Sequence, residues 1–234
     1  MMAVHPRWIQ IGVGLIYLLM VTIAWAETTT YDSFRSINVQ GNAKIELLAD
    51  DTASVAVSHL RDKVLTEVVD DVLYIDAREV DIEDGVVIEV ALGRNNIEEI
   101  LLDGFGSVVA HSLHAPTLVL EGMGAGIFDI ENLDVHELIV VGMGHTQFRL
   151  RGRADHQSID LAGNGRYSGA ALRSSLSQVS VRGQGDVSLW AEDLLDINVF
   201  GSARVNYAGK ARVHRRIFGL GEVNKVANFG TTAL

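Results

Sequence analysis

The 234-residue sequence has no cysteine, few aromatic residues (6%) and a shortage of positive charge. Without cysteine there are no disulfide staples, no thiol catalysis, no thiolate metal site and no lipidation on cysteine. Lys+Arg number 19 against Asp+Glu 30, a net charge of -11. That balance argues against a nucleic-acid partner, which needs a basic face to meet phosphate. No Gly-x-Ser-x-Gly elbow is present. After residue 26 no apolar run is long enough to span a membrane as a helix. Hydrophobic residues are nonetheless 48% and charged residues 21%, so bulk disorder is excluded and a sizeable core is affordable.

Residues 1–26 read as a secretory signal peptide. His5 and Arg7 open it, an apolar run from Ile9 to Trp25 follows, and Ala24-Trp25-Ala26 supplies the small-x-small cleavage pattern. The alternative is an uncleaved anchor. Only Arg7 is charged in this segment, so the remaining chain carries a net charge of -12. Such a chain must be stabilised by packing and backbone pairing alone.

The dominant feature is a repeat. Gly-x-Gly or Gly-x-Ala recurs at Gly41, Gly104, Gly122, Gly142, Gly163, Gly183, Gly201 and Gly219. From Gly104 onward these first glycines are 18, 20, 21, 20, 18 and 18 residues apart. Two and four residues before most of them stand apolar residues, as in Ile37 and Val39, Ile100 and Leu102, or Ile197 and Val199. The alternate register is mostly polar. Spacing by two is a strand period. Short strands at this interval, without a 3.6-residue pattern between them, predict an all-β chain wound as a right-handed parallel β-helix or β-solenoid of 18–21-residue windings. The alternative, an antiparallel sandwich, would call for hairpin turns of the Asn-Gly or Asp-Gly kind, of which only Asp84-Gly85 and Asp103-Gly104 exist. Residues 27–234 are then one domain: N-terminal windings over 27–96, repeat windings over 97–226, and a tail over 227–234. The 63 residues from Gly41 to Gly104 leave room for two windings without the glycine mark.

The paired glycines Gly104 and Gly106, Gly122 and Gly124, Gly142 and Gly144, Gly163 and Gly165, Gly183 and Gly185, and Gly219 and Gly221 are assigned to geometry. They leave space in the core or let a strand bend. A phosphate cradle would need a helix after the motif, and none is expected. A calcium roll would need a repeating Asp, which follows the second glycine only at Asp186.

The motif order resembles the auto-transporter adhesin head GIN domain family of exported bacterial proteins. The likeness opens at Phe34-Arg35-Ser36-Ile37-Asn38-Val39-Gln40-Gly41 and Lys44-Ile45-Glu46-Leu47. It continues through Ser54 to Val57, Leu65 to Val69, Leu73-Tyr74-Ile75 and Val86 to Val90, and closes on Val199 to Val205 with Tyr207-Ala208-Gly209. It covers about residues 33–226. Phe105, Met123, Met143 and Leu220 replace the more usual serine between the glycines. The resemblance implies an all-β, β-helix-like exported domain with adhesin-like binding, and it brings no catalytic residues.

Several residues are candidates for chemistry or contact. Asp103 and Glu121 each precede a first glycine, so overlaying the copies stacks them; paired carboxylates could serve a polysaccharide-degrading enzyme. The simpler reading is two solvated acids. His136 and His156 each lie 14 residues after their glycine and should stack beside Asp134 and Asp155, more simply as a polar ladder than as a metal site. Arg149, Arg151 and Arg153 alternate on one strand, a strip able to meet an anionic glycan or lipid headgroup, or a solvated face balanced by acids. Leu101, Phe105, Val109, Val119, Met123, Ile127, Ile139, Val141 and Met143 place an apolar patch on the outside of the middle windings, the mark of contact with another surface. No cofactor and no metal is called for.

Three functions follow from this reading. The leading one is a non-catalytic exported protein of the periplasm or cell surface that binds a surface polymer, such as a glycan, or an envelope protein. The second is the enzyme built on Asp103 and Glu121. The third is a scaffold that docks through the apolar patch, either to an envelope partner or to further copies of itself. Residues 226–234 cannot supply a membrane barrel, so display on a surface would need another protein.

Overall fold

The computed structural model describes residues 28–94 and 96–229. The export segment and residues 230–234 of the expected tail lie outside the described residues. The described chain is all-β, with one 3-10 turn at Arg61–Lys63 and no α-helix. Its strands are β1 (Thr28–Thr30), β2 (Ser36–Leu48), β3 (Ala53–Val57), β4 (Leu65–Val69), β5 (Val72–Ala77), β6 (Val86–Leu92), β7 (Glu99–Gly144), β8 (Gln147–Trp190), β9 (Leu194–Ala208) and β10 (Arg212–Lys225). They form one ten-stranded sheet in the order β1-β3-β6-β2-β7-β8-β9-β10, with β5 also on β2 and β4 on β5.

From β2 to β10 the neighbours pair in parallel, displaced by about one sequence repeat. Gly41 pairs with Gly104, Gly144 with Gly163, Gly183 with Gly201 and Gly201 with Gly219. The long β7 pairs with itself. The Val119 N–H donates to the Glu98 carbonyl at 2.8 Å, and a Cβ on Gly124 would stand 2.8 Å from the Gly104 carbonyl oxygen. One column therefore runs Gly41, Gly104, Gly124, Gly144, Gly163, Gly183, Gly201, Gly219. Each has φ between +87 and +139, and a Cβ on each would run into the carbonyl of the neighbouring stretch. Glycine is required here because the chain turns a corner in the left-handed region directly against backbone.

This column corrects the overlay of first glycines. In Gly122-Met123-Gly124 and Gly142-Met143-Gly144 it is the second glycine that turns the corner. The first is buried and makes room for an aromatic ring. A Cβ on Gly122 would lie 3.1 Å from Phe128, and one on Gly142 would lie 3.1 Å from Phe148. In the corrected register one inner column runs Ile45, Val108, Phe128, Phe148, Tyr167, Val187, Val205, all 0% exposed. The Phe128 and Phe148 rings stack at 4.9 Å and 12°. Gly165, Gly185 and Gly221 face Leu161, Val181 and Ile217 four residues earlier, at 2.7–3.1 Å for an added Cβ. Gly106 lies against the Ala43 carbonyl.

The 63-residue gap does not stack between its two glycines, since Gly41 and Gly104 are direct partners. One rung of the gap lies on the other side of β2. There β5 pairs with Ser36–Gly41 and β6 with Ala43–Leu48. Its corner carries no column glycine because the chain leaves the sheet there through residues 78–85. The rest of the gap is antiparallel: β3 on β6, β1 on β3, β4 on β5.

Within the parallel part the core contains one polar cluster. Tyr167 Oη donates to Gln157 Oε1 at 2.6 Å, and Gln157 Nε2 donates to Ser174 Oγ at 2.7 Å and Ser177 Oγ at 3.0 Å. Ser174 Oγ also donates to the Trp190 carbonyl at 2.9 Å. Each member is thus satisfied, which is the condition for burying it without large cost. Burial raises the Tyr167 phenol far above its ordinary range, so it stays a donor.

Candidate functional site

The outward residues flanking the glycine column define two surfaces. On the N-terminal side of the corner lies the apolar patch. Phe105 is 54% exposed and Met143 39%, while Leu101, Val109, Val119, Met123, Ile127, Ile139 and Val141 are half-buried. In register, Val119 adjoins Ile139 and Met123 adjoins Met143, with Val141 between them. Glu121 separates Leu101 from Val141. Phe105, Val109 and Ile127 lie beyond the corner. The patch is therefore narrower than the sequence overlay implies.

The same register separates the two acids. Asp103 adjoins Met123, and Glu121 adjoins Leu101 and Val141 rather than Asp103. The paired carboxylates that an acid–base enzyme would need are not brought together.

Beyond the corner the sharp turn leaves an open trough of about 470 Å³. One wall is His145, Asn164, Gln184 and Ser202, and the other is Gln147, Arg166, Asp186, Arg204 and Glu222. The floor includes Gly165, Gly185 and Ala203, and the far end carries Leu220, 82% exposed. Each wall is a ladder with one residue per neighbouring stretch: Gln184 pairs with Ser202 and Asp186 with Arg204. Arg204 reaches Glu222 at 3.6 Å. Among the described residues the side chains of His145, Asn164, Gln184, Ser202, Arg166 and Asp186 form no hydrogen bond or ion pair. They are spaced along the trough at the strand interval of about 4.8 Å. This site was missed in the sequence because the first-glycine overlay misaligns its first rung. Counting outward residues one and three places after the column glycine reveals it. The overlay also passed over Phe200 and Phe218, which stack on the outer face at 5.0 Å and 9° while 51% and 60% exposed.

The arginine strip is internally balanced. Arg149 and Arg151 reach Asp129 at 3.9 and 3.2 Å, and Arg153 reaches Asp155 at 2.8 Å. The two histidines do not stack on each other. His136 Nδ1 lies 2.9 Å from Asp155 Oδ2, and His156 is paired in register with Glu137. A register shift between Ile130 and Leu133 accounts for the displacement. Hydrogen bonds from His136 and then Arg153 hold the Asp155 carboxyl below the usual range. Among the described residues no group of three or more His, Asp or Glu is placed to hold a metal ion. No helix there is long and apolar enough to cross a membrane.

Comparison with known proteins agrees with the architecture. A crystal structure titled "a putative adhesin" from Bacteroides fragilis is 21% identical with a TM-score of 0.76, covering 86% of this chain and 95% of its own. A "Putative lipid binding protein" from Parabacteroides distasonis gives 18% and 0.66, covering 86% and 96%. A "putative adhesin" from Parabacteroides merdae gives 16% and 0.63, covering 86% and 95%. At these identities the likeness is one of fold. No curated protein matches the chain. Residues 33–211, which hold β2 to β9 and most of the trough, match the family described as "Putative auto-transporter adhesin, head GIN domain", and the chain belongs to that family.

Proposed function

We propose that the chain is an exported, non-catalytic β-solenoid, wound right-handed, whose trough binds an extended hydrophilic polymer in the manner of an adhesin. The observation that carries this is the trough itself. Two ladders of unpartnered amide, hydroxyl and charged side chains repeat at the rung spacing. That interval, about 4.8 Å, is close to the length of one sugar ring along a glycan chain. A linear glycan laid across the rungs would meet a fresh set of donors and acceptors at every residue, and the exposed Phe200–Phe218 stack offers a flat apolar face nearby. Several weak contacts in series suit a repetitive ligand. The separation of Asp103 from Glu121 removes the geometric basis for the enzyme reading.

The test is a binding screen of acidic and neutral polysaccharides against the purified protein, repeated with Asn164→Ala/Gln184→Ala. Binding to at least one polymer, weakened tenfold or more by the double variant with melting temperature unchanged, is expected. Absence of binding to every polymer, or binding indifferent to the trough, would overturn the reading, and release of new reducing ends would overturn its non-catalytic part. Compartment is read by protease treatment: digestion in intact cells places the domain on the surface, protection until permeabilisation places it in the periplasm.

A second reading, a scaffold docked to an envelope protein, is favoured by the Val119–Ile139 and Met123–Met143 columns. A single stoichiometric protein partner, lost in Met123→Ser/Met143→Ser, would support it.

A further inference from the structure

The two ends of the sheet carry opposite charge. Residues 49–92, which build the end beyond β2, hold 12 Asp+Glu and three Lys+Arg. Residues 204–229, at the β10 end, hold one acidic residue and six Lys+Arg. Little of this is neutralised internally. Glu67, Asp70, Asp71, Glu79 and Glu83 at the first end, and Lys210, Arg212, Arg215 and Lys225 at the second, form no ion pair among the described residues.

The ends also differ in closure. At the first, Leu73 and Ile75 of β5 are 0% and 1% exposed, although β5 lies next to the edge of the sheet. At the second, no strand among the described residues pairs with the outer edge of β10. Its inward Val213, Ile217 and Val223 are only half-buried. Arg215 takes the inward position next to Ile197. An inward arginine on an edge strand opposes pairing of β10 with another β10, since like charges would meet. It admits an acidic partner. The acidic end offers one, with Leu65 62% and Val69 47% exposed on β4, itself an edge strand, and Ile82 64% exposed beside it.

We propose that copies of the chain associate head to tail, the basic β10 end of one seating on the acidic β4–β6 end of the next. The contact joins unlike surfaces, so it does not close on itself at two copies and extends into a chain of copies. This is independent of what the trough binds. It would set troughs in a row, and since the trough reaches Leu220 and Glu222 on β10 it opens at the joint.

The experiment is the mass distribution of the purified protein by light scattering, over a range of concentrations, at low and high salt. Mass that grows with concentration at low salt and falls at high salt is expected, because exposed charge pairs are screened. Arg212→Glu/Arg215→Glu and, separately, Glu79→Lys/Glu83→Lys should each abolish growth while circular dichroism shows retained β-structure. Mixing the two variants should restore growth, because each swapped end then meets its complement. A monomer under all conditions, a mass that stops at two copies, or a mixture that stays monomeric would overturn the proposal. Should one variant fail to fold, the salt and concentration dependence of the unaltered protein still decides it.

Discussion

Residues 28–98 and 99–225 solve the same packing problem differently. In the second region each stretch lies parallel on the one before, and glycine turns every corner in the column. In the first, the rung beside β2 is assembled from β5 and β6, with residues 78–85 looped out at the corner. The contrast shows what the glycine mark reports. It appears where a continuous chain must turn against a neighbouring carbonyl, and it vanishes where the chain leaves the sheet instead. Gly41 belongs to the first region yet keeps the mark, because its own corner is continuous and abuts Ala77.

The largest expected difference between the regions concerns the core. Phe148→Ala should cost about 3–5 kcal/mol, because it removes a fully buried ring from the stacked column and leaves a cavity. Tyr74→Ala, 37% exposed on β5, should cost well under half as much. Urea unfolding of the two variants measures this, and equal losses would mean the aromatic column is not the heart of the repeat. Next comes the corner. Gly124→Ala places a Cβ in a left-handed conformation 2.8 Å from the Gly104 carbonyl, at a cost of about 2–3 kcal/mol. Gly85→Ala is also left-handed but meets nothing within 4 Å, so it should cost only about 1 kcal/mol. Thermal unfolding separates them. Tyr167→Phe should cost about 1–3 kcal/mol, because Gln157 Oε1 is left buried without its donor.

The smallest effects come from two acids held by different means. Asp76 is held low by its neighbour Arg78 within the first region, and Asp155 by His136 of the adjacent stretch and by Arg153. A depressed folded pKa stabilises above the unfolded value, about 3.9 for aspartate, and the contribution is lost as pH falls through the lower folded value. Carboxyl NMR titration should find both midpoints low. His136→Ala should raise that of Asp155 and leave Asp76 unmoved; a shift of both would mean the two regions are electrostatically coupled.

Much of this was readable beforehand. Alternation at Ile37-Val39, Ile100-Leu102 and Ile197-Val199 marked inward positions, and the repeat length foreshadowed parallel neighbours of like sequence. The slip at Gly122 and Gly142 was hidden because Gly-x-Gly presents two glycines with different tasks. Only Phe128 and Phe148, which need space, tell which glycine is which. The antiparallel pairing of β3, β4 and β6 was illegible for another reason: their alternation is the same in either strand direction. The trough depends on the register, so it became visible only with the corrected column.

The absence of cysteine makes that register directly measurable. Asp103→Cys/Met123→Cys places two thiols side by side on neighbouring stretches about 4.8 Å apart, within disulfide reach of about 4.4–6.8 Å between Cα atoms. Asp103→Cys/Glu121→Cys is offset by two residues, giving about 8 Å from the strand spacings. The account predicts that mild oxidation crosslinks the first pair and leaves the second reduced. Crosslinking of the second pair in place of the first would contradict the glycine column and the trough built on it.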